Sequence, residues 1–339
     1  MSAPGLAVAV VAGGPSSEAA VSRTSARAVC AALSSAGHRS TLIELDASLP
    51  TGLFGGGFDV VFPVTHGPLG EDGCLQGVLE VLGLPYVGSG VLASALGMSK
   101  PHAKVVFREA NLPVAPDAFV KAGENLHEAA RRVRAALGPA VVVKPASGGS
   151  AIAVGRIRQQ DDDSTLVEAL KSALAFDELV LVESFRVGQE VTCAVLDDET
   201  GAPQALPPTL ILPRAADWYD FESRYAAQGS EHRCPAPFAP SLTKRIQQIA
   251  VGAHRALGAR DLSRADFLVG EDSDVHGVTL LEVNTLPGMT PTSLFPEAAA
   301  VAGVPFTELC DRLVRQAHAR PTRRTPDVVP MPKSKGSTG

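Results

Sequence analysis

Every position from residue 6 to residue 12 is apolar, and the run stops at Gly13-Gly14-Pro15-Ser16-Ser17. Apolar residues without polar alternation predict a strand buried on both faces that delivers the chain into a loop. A helix is expected over 18–36, with Ser16 and Ser17 placed to cap its start and Gly37 to stop it. Further strands are predicted at 40–45 and 60–63, so the first part alternates strand and helix, the pattern of an α/β unit with a largely parallel sheet. A second unit begins near Pro101 with a helix through Asn111; strands follow at 140–144, 151–157, 179–183 and 190–196, and a helix at 164–174. A third unit holds a long loop over 213–235, a helix at 241–257, two short apolar runs and a last helix at 306–317. From Arg320 onward Pro, Ser, Lys and Arg dominate without periodicity, which predicts a disordered tail. The expected units are therefore 1–100, 101–188 and 189–319, with a tail over 320–339.

The two short apolar runs, 265–269 and 278–284, flank a polar turn containing Glu271, Asp272, Asp274 and Gly277, and predict a hairpin. Alternation puts Glu282 and Asn284 on one face of the second strand, and antiparallel pairing brings Asp266 beside them. Two carboxylates and an amide form a hard, all-oxygen donor set suited to Mg²⁺ shared with phosphate oxygens. An ion pair between Asp266 and Arg264 is the competing account of the same charges. The chain of 339 residues exceeds one ordinary core, and its 45% apolar and 19% charged residues are those of a folded protein. A formal charge of −6 argues against sequence-independent nucleic-acid binding, and no apolar stretch approaches the ~20 residues of a membrane span. The start lacks the basic region of an export signal, and the five cysteines are scattered singly, which argues against a disulfide framework or zinc site and suits a reducing cytoplasm.

Other candidates are weaker one by one. Lys144 ends an apolar strand and precedes Pro145-Ala146-Ser147-Gly148-Gly149-Ser150, a small-residue loop that lets backbone amides approach phosphate but is more often a plain hairpin turn. Glu183 at a strand end and Glu190 beyond it are acceptors for an adenine amino group and ribose hydroxyls, or simply solvated carboxylates. Glu18 opens a helix at a strand-to-helix turn, where ligands of open α/β sheets bind and where a carboxylate also complements the helix dipole. His66 lies in a glycine-rich loop, 65–73, after an apolar strand, and a lone histidine there is more often structural. The aromatic stretch 218–225 within the long loop is a candidate lid or a surface loop pinned on the core.

Taken in order, these pieces resemble the D-alanine–D-alanine ligase family of ATP-grasp enzymes. The resemblance runs from about Ala7 to Arg315 and is carried by 13–18, by His66-Gly67 through Glu71-Asp72-Gly73, by 88–96, and above all by Glu282-Val283-Asn284-Thr285-Leu286-Pro287-Gly288-Met289-Thr290. It implies a three-domain ATP-grasp architecture, α/β at the N-terminus and α+β in the C-terminal half, with ATP gripped between the second and third domains. By resemblance, Lys100 and Lys144 would contact ATP phosphates, Glu183 would lie by the adenine and Glu190 by the ribose. Asp266, Glu282 and Asn284 would hold two Mg²⁺ or Mn²⁺. Glu18 would bind the ammonium of the first amino acid, with Ser150 and Tyr225 linked to it and His66 nearby. Arg264 and the Gly288 amide would stabilise an oxyanion, and Ser293 and Leu294 would receive the second amino acid's carboxylate. The implied enzyme makes D-alanyl-D-alanine for peptidoglycan in the cytoplasm as a homodimer, acting on small amino acids with neither nucleic acid nor membrane as partner. Departures from the family pattern, Ala19-Ala20, Ala151, Ala153 and Arg224, motivate a related ligase joining other amino acids in specialised metabolism. A nucleotide-binding scaffold without catalysis is a third reading, opposed by retention of the metal set, Arg264 and Lys144.

Overall fold

The first apolar run forms β1 (Ala7–Ala12) in the computed structural model, which describes residues 4–149, 152–213, 229–270 and 276–320. Next come α1 (Ala19–Ser35), β2 (Arg39–Glu44), α2 (Leu49–Gly55), β3 (Val60–Pro63), α3 (Cys74–Leu82) and α4 (Val91–Met98). The strands make a parallel sheet in the order β2-β1-β3. Pleating sends Val8 and Val10 to a core shared with α1, and Ala9 and Val11 to a second core under α2 and α3. That is why the run needs no polar position. Ser16 and Ser17 do not cap α1: the Ser16 Oγ accepts the Glu18 N–H at 3.0 Å, a turn before the helix, and no side chain caps its first turn. Gly37 does follow the helix end with a positive φ of 89°, as expected of a left-handed stop.

The second sheet is built from α5 (Lys100–Glu109), β4 (Asp117–Lys121), α6 (Leu126–Leu137), β5 (Val141–Pro145), β6 (Gly155–Ile157), α7 (Asp163–Leu174) and β7 (Leu179–Ser184). It is antiparallel, ordered β4-β7-β5-β6. Val141, Val143, Val180 and Val182 bury one face under α6 and α7, and the alternate positions, Val142, Lys144 and Glu183, line a cleft on the other. β6 starts later than the sequence pattern predicts. Ala153 takes a left-handed φ of 54°, so 152–154 turn instead of extending.

The third sheet contains β8 (Gln189–Asp197), β9 (Pro203–Ala205), β10 (Thr209–Pro213), β11 (Ser230–Arg233), β12 (Leu262–Val269) and β13 (Val278–Asn284), ordered β11-β10-β8-β12-β13 with β9 on β8. The chain also forms α8 (Pro240–Leu257), α9 (Leu294–Val301) and α10 (Phe306–Ala319). Ile246, Ile249 and Ala250 of α8 pack with Phe107 of α5 on one face of this sheet. The expected long loop is therefore shorter than its sequence suggests, because its last part pairs with β10 as the edge strand β11. Its aromatic stretch lies outside the described residues. Leu309, Leu313 and Val314 of α10 return to the first core and pack with Val8, Val29 and Leu33. Arg320, expected to begin the tail, is instead anchored: its guanidinium pairs with Asp261 and donates to the Tyr86 carbonyl at 3.1 Å. Asp261 is buried at 4% exposure and needs that cation.

Candidate functional site

A cleft of about 410 Å³ lies between the second and third sheets. Of the residues singled out in the sequence, Lys100, Lys144, Glu183, Glu190, Asp266, Glu282 and Leu294 line it. The wall from the second sheet carries the lysines, and the facing strands β8, β12 and β13 carry the carboxylates. The register explains the latter. Asp266 is the cross-strand partner of Glu282, and Arg264 of Asn284, so all four share one face of the β12–β13 ladder.

The opposed carboxylates are held by cations. Arg264 donates from Nε and Nη2 to the two oxygens of Asp266, each at 2.8 Å, a fork-to-fork pair. Thr192, buried on β8 and opposite Asp266, donates its hydroxyl to Asp266 Oδ1 at 2.8 Å. The Lys100 ammonium lies 3.7 Å from Glu282 Oε2. A carboxylate offers about four lone-pair directions; at Asp266 the arginine takes two and Thr192 a third, which leaves about one. Among the described residues no group of three or more His, Cys, Asp or Glu gathers as a resident metal cage. The donor set is two carboxylates and an amide, which fits a magnesium ion only when phosphate oxygens and water complete its sphere.

On the facing wall, Lys144 Nζ is 2.6 Å from Glu183 Oε2, and Lys104 pairs with the other oxygen of Glu183. Burial opposes charge on Glu183, but Lys144 and Lys104 outweigh it and hold the carboxyl down at about 2. Burial likewise opposes charge on Lys144, yet Glu183, Glu282 and Glu190 keep its pKa above the ordinary lysine value. Glu183 therefore meets the cleft as a carboxylate whose oxygens already hold two ammonium groups. Phe185 forms part of the same wall, with the Arg156 guanidinium 4.8 Å above its ring.

Residues of the first unit gather beside the cleft, next to its lining residue Gly149. There, His66 Nδ1 lies 3.3 Å from Glu71 Oε2, and Glu71 also accepts the Gly67 N–H at 2.9 Å. Burial lowers the His66 pKa, but Glu71, with Glu18 adding, raises it more than Arg264 lowers it, so the net shift is upward. Glu18, His66 and Arg264 thus share one electrostatic neighbourhood, although they come from three distant stretches. Gly67 is required there: its φ is +73°, and a Cβ would sit 2.8 Å from Ser16 Oγ. The loop after β5 approaches the same corner, since a Cβ on Gly149 would lie 3.7 Å from Glu18 Oε2. Gly288 lies against Ser293, whose Oγ accepts the Thr290 N–H at 3.1 Å, and Ser293 with Leu294 opens α9. Ser150 and Tyr225 lie outside the described residues. Thr192, Glu71 and Lys104 were not singled out as site residues by sequence; for Lys104 the available signal was its spacing from Lys100, four residues on along one helix face.

The chain is similar to known proteins over most of its length. A family model described as D-ala D-ala ligase C-terminus matches residues 106–315, and one described as D-ala D-ala ligase N-terminus matches residues 53–89. The chain is 41% identical to a D-alanine--D-alanine ligase of Desulforudis audaxviator, over 92% of this chain and 99% of that protein. It is 43% identical to one of Gluconobacter oxydans, over the same shares. Among solved structures, the D-alanine-D-alanine ligase from Coxiella burnetii superposes with a TM-score of 0.79 at 28% identity, covering 93% of this chain and 94% of that one. The ligase from Bacillus anthracis complexed with ATP gives a TM-score of 0.77 at 28% identity, covering 92% and 97%.

Proposed function

This chain belongs to the D-alanine–D-alanine ligase family, and from that membership we propose that it joins two D-alanines at the expense of ATP, releasing D-alanyl-D-alanine, ADP and phosphate. The observation that carries the proposal is the facing of Lys100 and Lys144 against Asp266 and Glu282 across one cleft, with Glu18, His66 and Arg264 gathered beside it. The relatives' names refer to D-alanine, which does not favour ligation of other amino acids.

A free carboxylate is a poor acyl donor because its leaving group is oxide. One carboxylate oxygen of the first D-alanine attacks the γ-phosphorus, the bond from that phosphorus to the bridging oxygen breaks, and ADP departs. Lys100 and Lys144 offset charge on the phosphates during the transfer. The amine of the second D-alanine then attacks the acyl carbon, loses a proton, and the carbon–oxygen bond to phosphate breaks. Arg264 and the Gly288 amide stabilise the oxyanion formed on the way. Glu18 binds the first ammonium beside His66, with Ser150 and Tyr225 assigned to the same corner by resemblance. Ser293 and Leu294, at the start of α9, receive the second carboxylate. Glu183 and Glu190 flank the nucleoside. Asp266, Glu282 and Asn284 would hold two magnesium or manganese ions, which when bound offset charge on the transferring phosphoryl group. Positioned groups supply the catalysis, with no covalent protein nucleophile.

We place the nucleotide between units 101–188 and 189–319 and the amino acids beside unit 1–100. We assign the enzyme to the cytoplasm, where ATP is made, as a homodimer serving peptidoglycan synthesis. The test is phosphate release from ATP with magnesium over a panel of D- and L-amino acids, with the product weighed by mass spectrometry. Release with D-alanine and a D-alanyl-D-alanine mass is expected. Release only with other amino acids, or none with any, overturns the assignment.

A further inference from the structure

Asp117 and Glu183 are cross-strand partners on β4 and β7, so the strand pairing sets two carboxylates directly opposite one another. Like charges so placed destabilise a sheet. Lys104 sits between them at 1% exposure: it pairs with Glu183, lies 3.3 Å from Asp117 Oδ2, and donates to the Ala115 carbonyl at 2.9 Å. Arg108 closes the outer end, its Nη1 reaching both oxygens of Asp117 at 2.9 and 3.0 Å. Lys144 closes the inner end at 2.6 Å from Glu183. The result is a row of alternating charge, Arg108–Asp117–Lys104–Glu183–Lys144, that runs from the surface to the cleft wall.

A buried ammonium is costly, and it persists only where its partners need it. Asp117 has Arg108, which faces the surface, whereas the other cation on Glu183 is Lys144, which lines the cleft, so Lys104 is the partner that can hold Glu183 without drawing on the cleft. Without Lys104, Lys144 becomes the one cation among the described residues paired with the buried Glu183 carboxylate, and its ammonium is drawn back to the strand and away from the cleft. Ala115 and Glu183 both belong to the cleft wall, so one side chain fixes two parts of that wall. Resting on the ligase reading, we propose that Lys104 is a positioning residue for the nucleotide: it holds Glu183 from behind, so that Lys144 is presented to the phosphates. Lys104 does not itself line the cleft.

The test compares wild type with Lys104→Met, which keeps length and removes charge. The readouts are melting temperature, the Kd for an ATP analogue with magnesium, and KM for ATP and for D-alanine. The expected result is a rise of about tenfold or more in the nucleotide Kd and KM, with KM for D-alanine within about twofold. A purely structural lysine lowers the melting temperature and leaves both ratios alone, and that outcome overturns the inference. An equal rise in both KM values overturns it too. Should Lys104→Met fail to fold, Lys104→Met/Asp117→Asn removes the opposed charge as well and carries the same expectation and the same refutation. Wild type that binds no nucleotide refutes the ligase reading itself, a result read before any variant is compared.

Discussion

Ala153 occupies a backbone conformation that an L-residue with a Cβ resists. Its φ of 54° lies in the left-handed region, at a cost of roughly 1–2 kcal/mol relative to glycine. Glycine also gives the unfolded chain about 0.4–1 kcal/mol more entropy to lose. Ala153→Gly is therefore expected to stabilise the protein by between about 0 and 1.6 kcal/mol, read from urea unfolding; a clear loss of stability is the contrary result. At Glu282, replacement by Gln keeps the size and the Asn284 neighbour but removes a carboxylate from the shared donor patch. ADP formation should vanish while the melting temperature holds, and near-normal turnover would remove Glu282 from the metal set. His66 carries a pH signature. Its pKa is raised in the folded protein, so the stability that its Glu71 pair adds is fully present below the ordinary histidine value. That stability is lost as pH rises through the raised value. The melting-temperature gap between wild type and His66→Gln should shrink from pH 6 toward alkaline conditions, and a gap that widens refutes the pairing.

At the scale of elements, the helices divide by what they support. α6 covers the outer face of the second sheet through Ala129, Ala130 and Val133, away from the cleft. Its start is capped by Asn125, whose side-chain oxygen accepts the N–H groups of His127 and Glu128 at 3.1 and 3.2 Å. Asn125→Ala should cost about 1 kcal/mol in urea unfolding with no change in KM for ATP. A shifted KM would mean that α6 couples to the cleft. Strand-level features were legible where a period was clean. β1 and the β12–β13 hairpin follow directly from an unbroken apolar run and from a two-residue alternation. The helices α2, α3, α4, α6 and α9 and the strands β4, β9, β10 and β11 were not drawn out of the sequence. They are short or flanked by proline and glycine, and β11 lies in what reads as one long loop, 213–235, until it pairs with β10.

At the scale of the molecule, the last helix closes the first core. Leu313 is fully buried against elements that begin the chain, so Leu313→Ala should cost about 2–5 kcal/mol and weaken the first domain as a whole. A loss of less than about 1 kcal/mol would mean that α10 is dispensable to that core. The sequence by itself determined the parallel sheet at the start, the acidic hairpin with Asp266 opposite Glu282, and the resemblance that the comparisons bear out. Those are local facts, fixed by periods of two and by neighbours along the chain. Only the tertiary structure decided that Glu18, His66 and Arg264 share one field and that Lys104 stands behind Glu183. These are contacts between residues far apart in the chain. Their partners are chosen by which strand lies beside which and by the need of each buried charge to find its opposite, and neither is written in any local pattern.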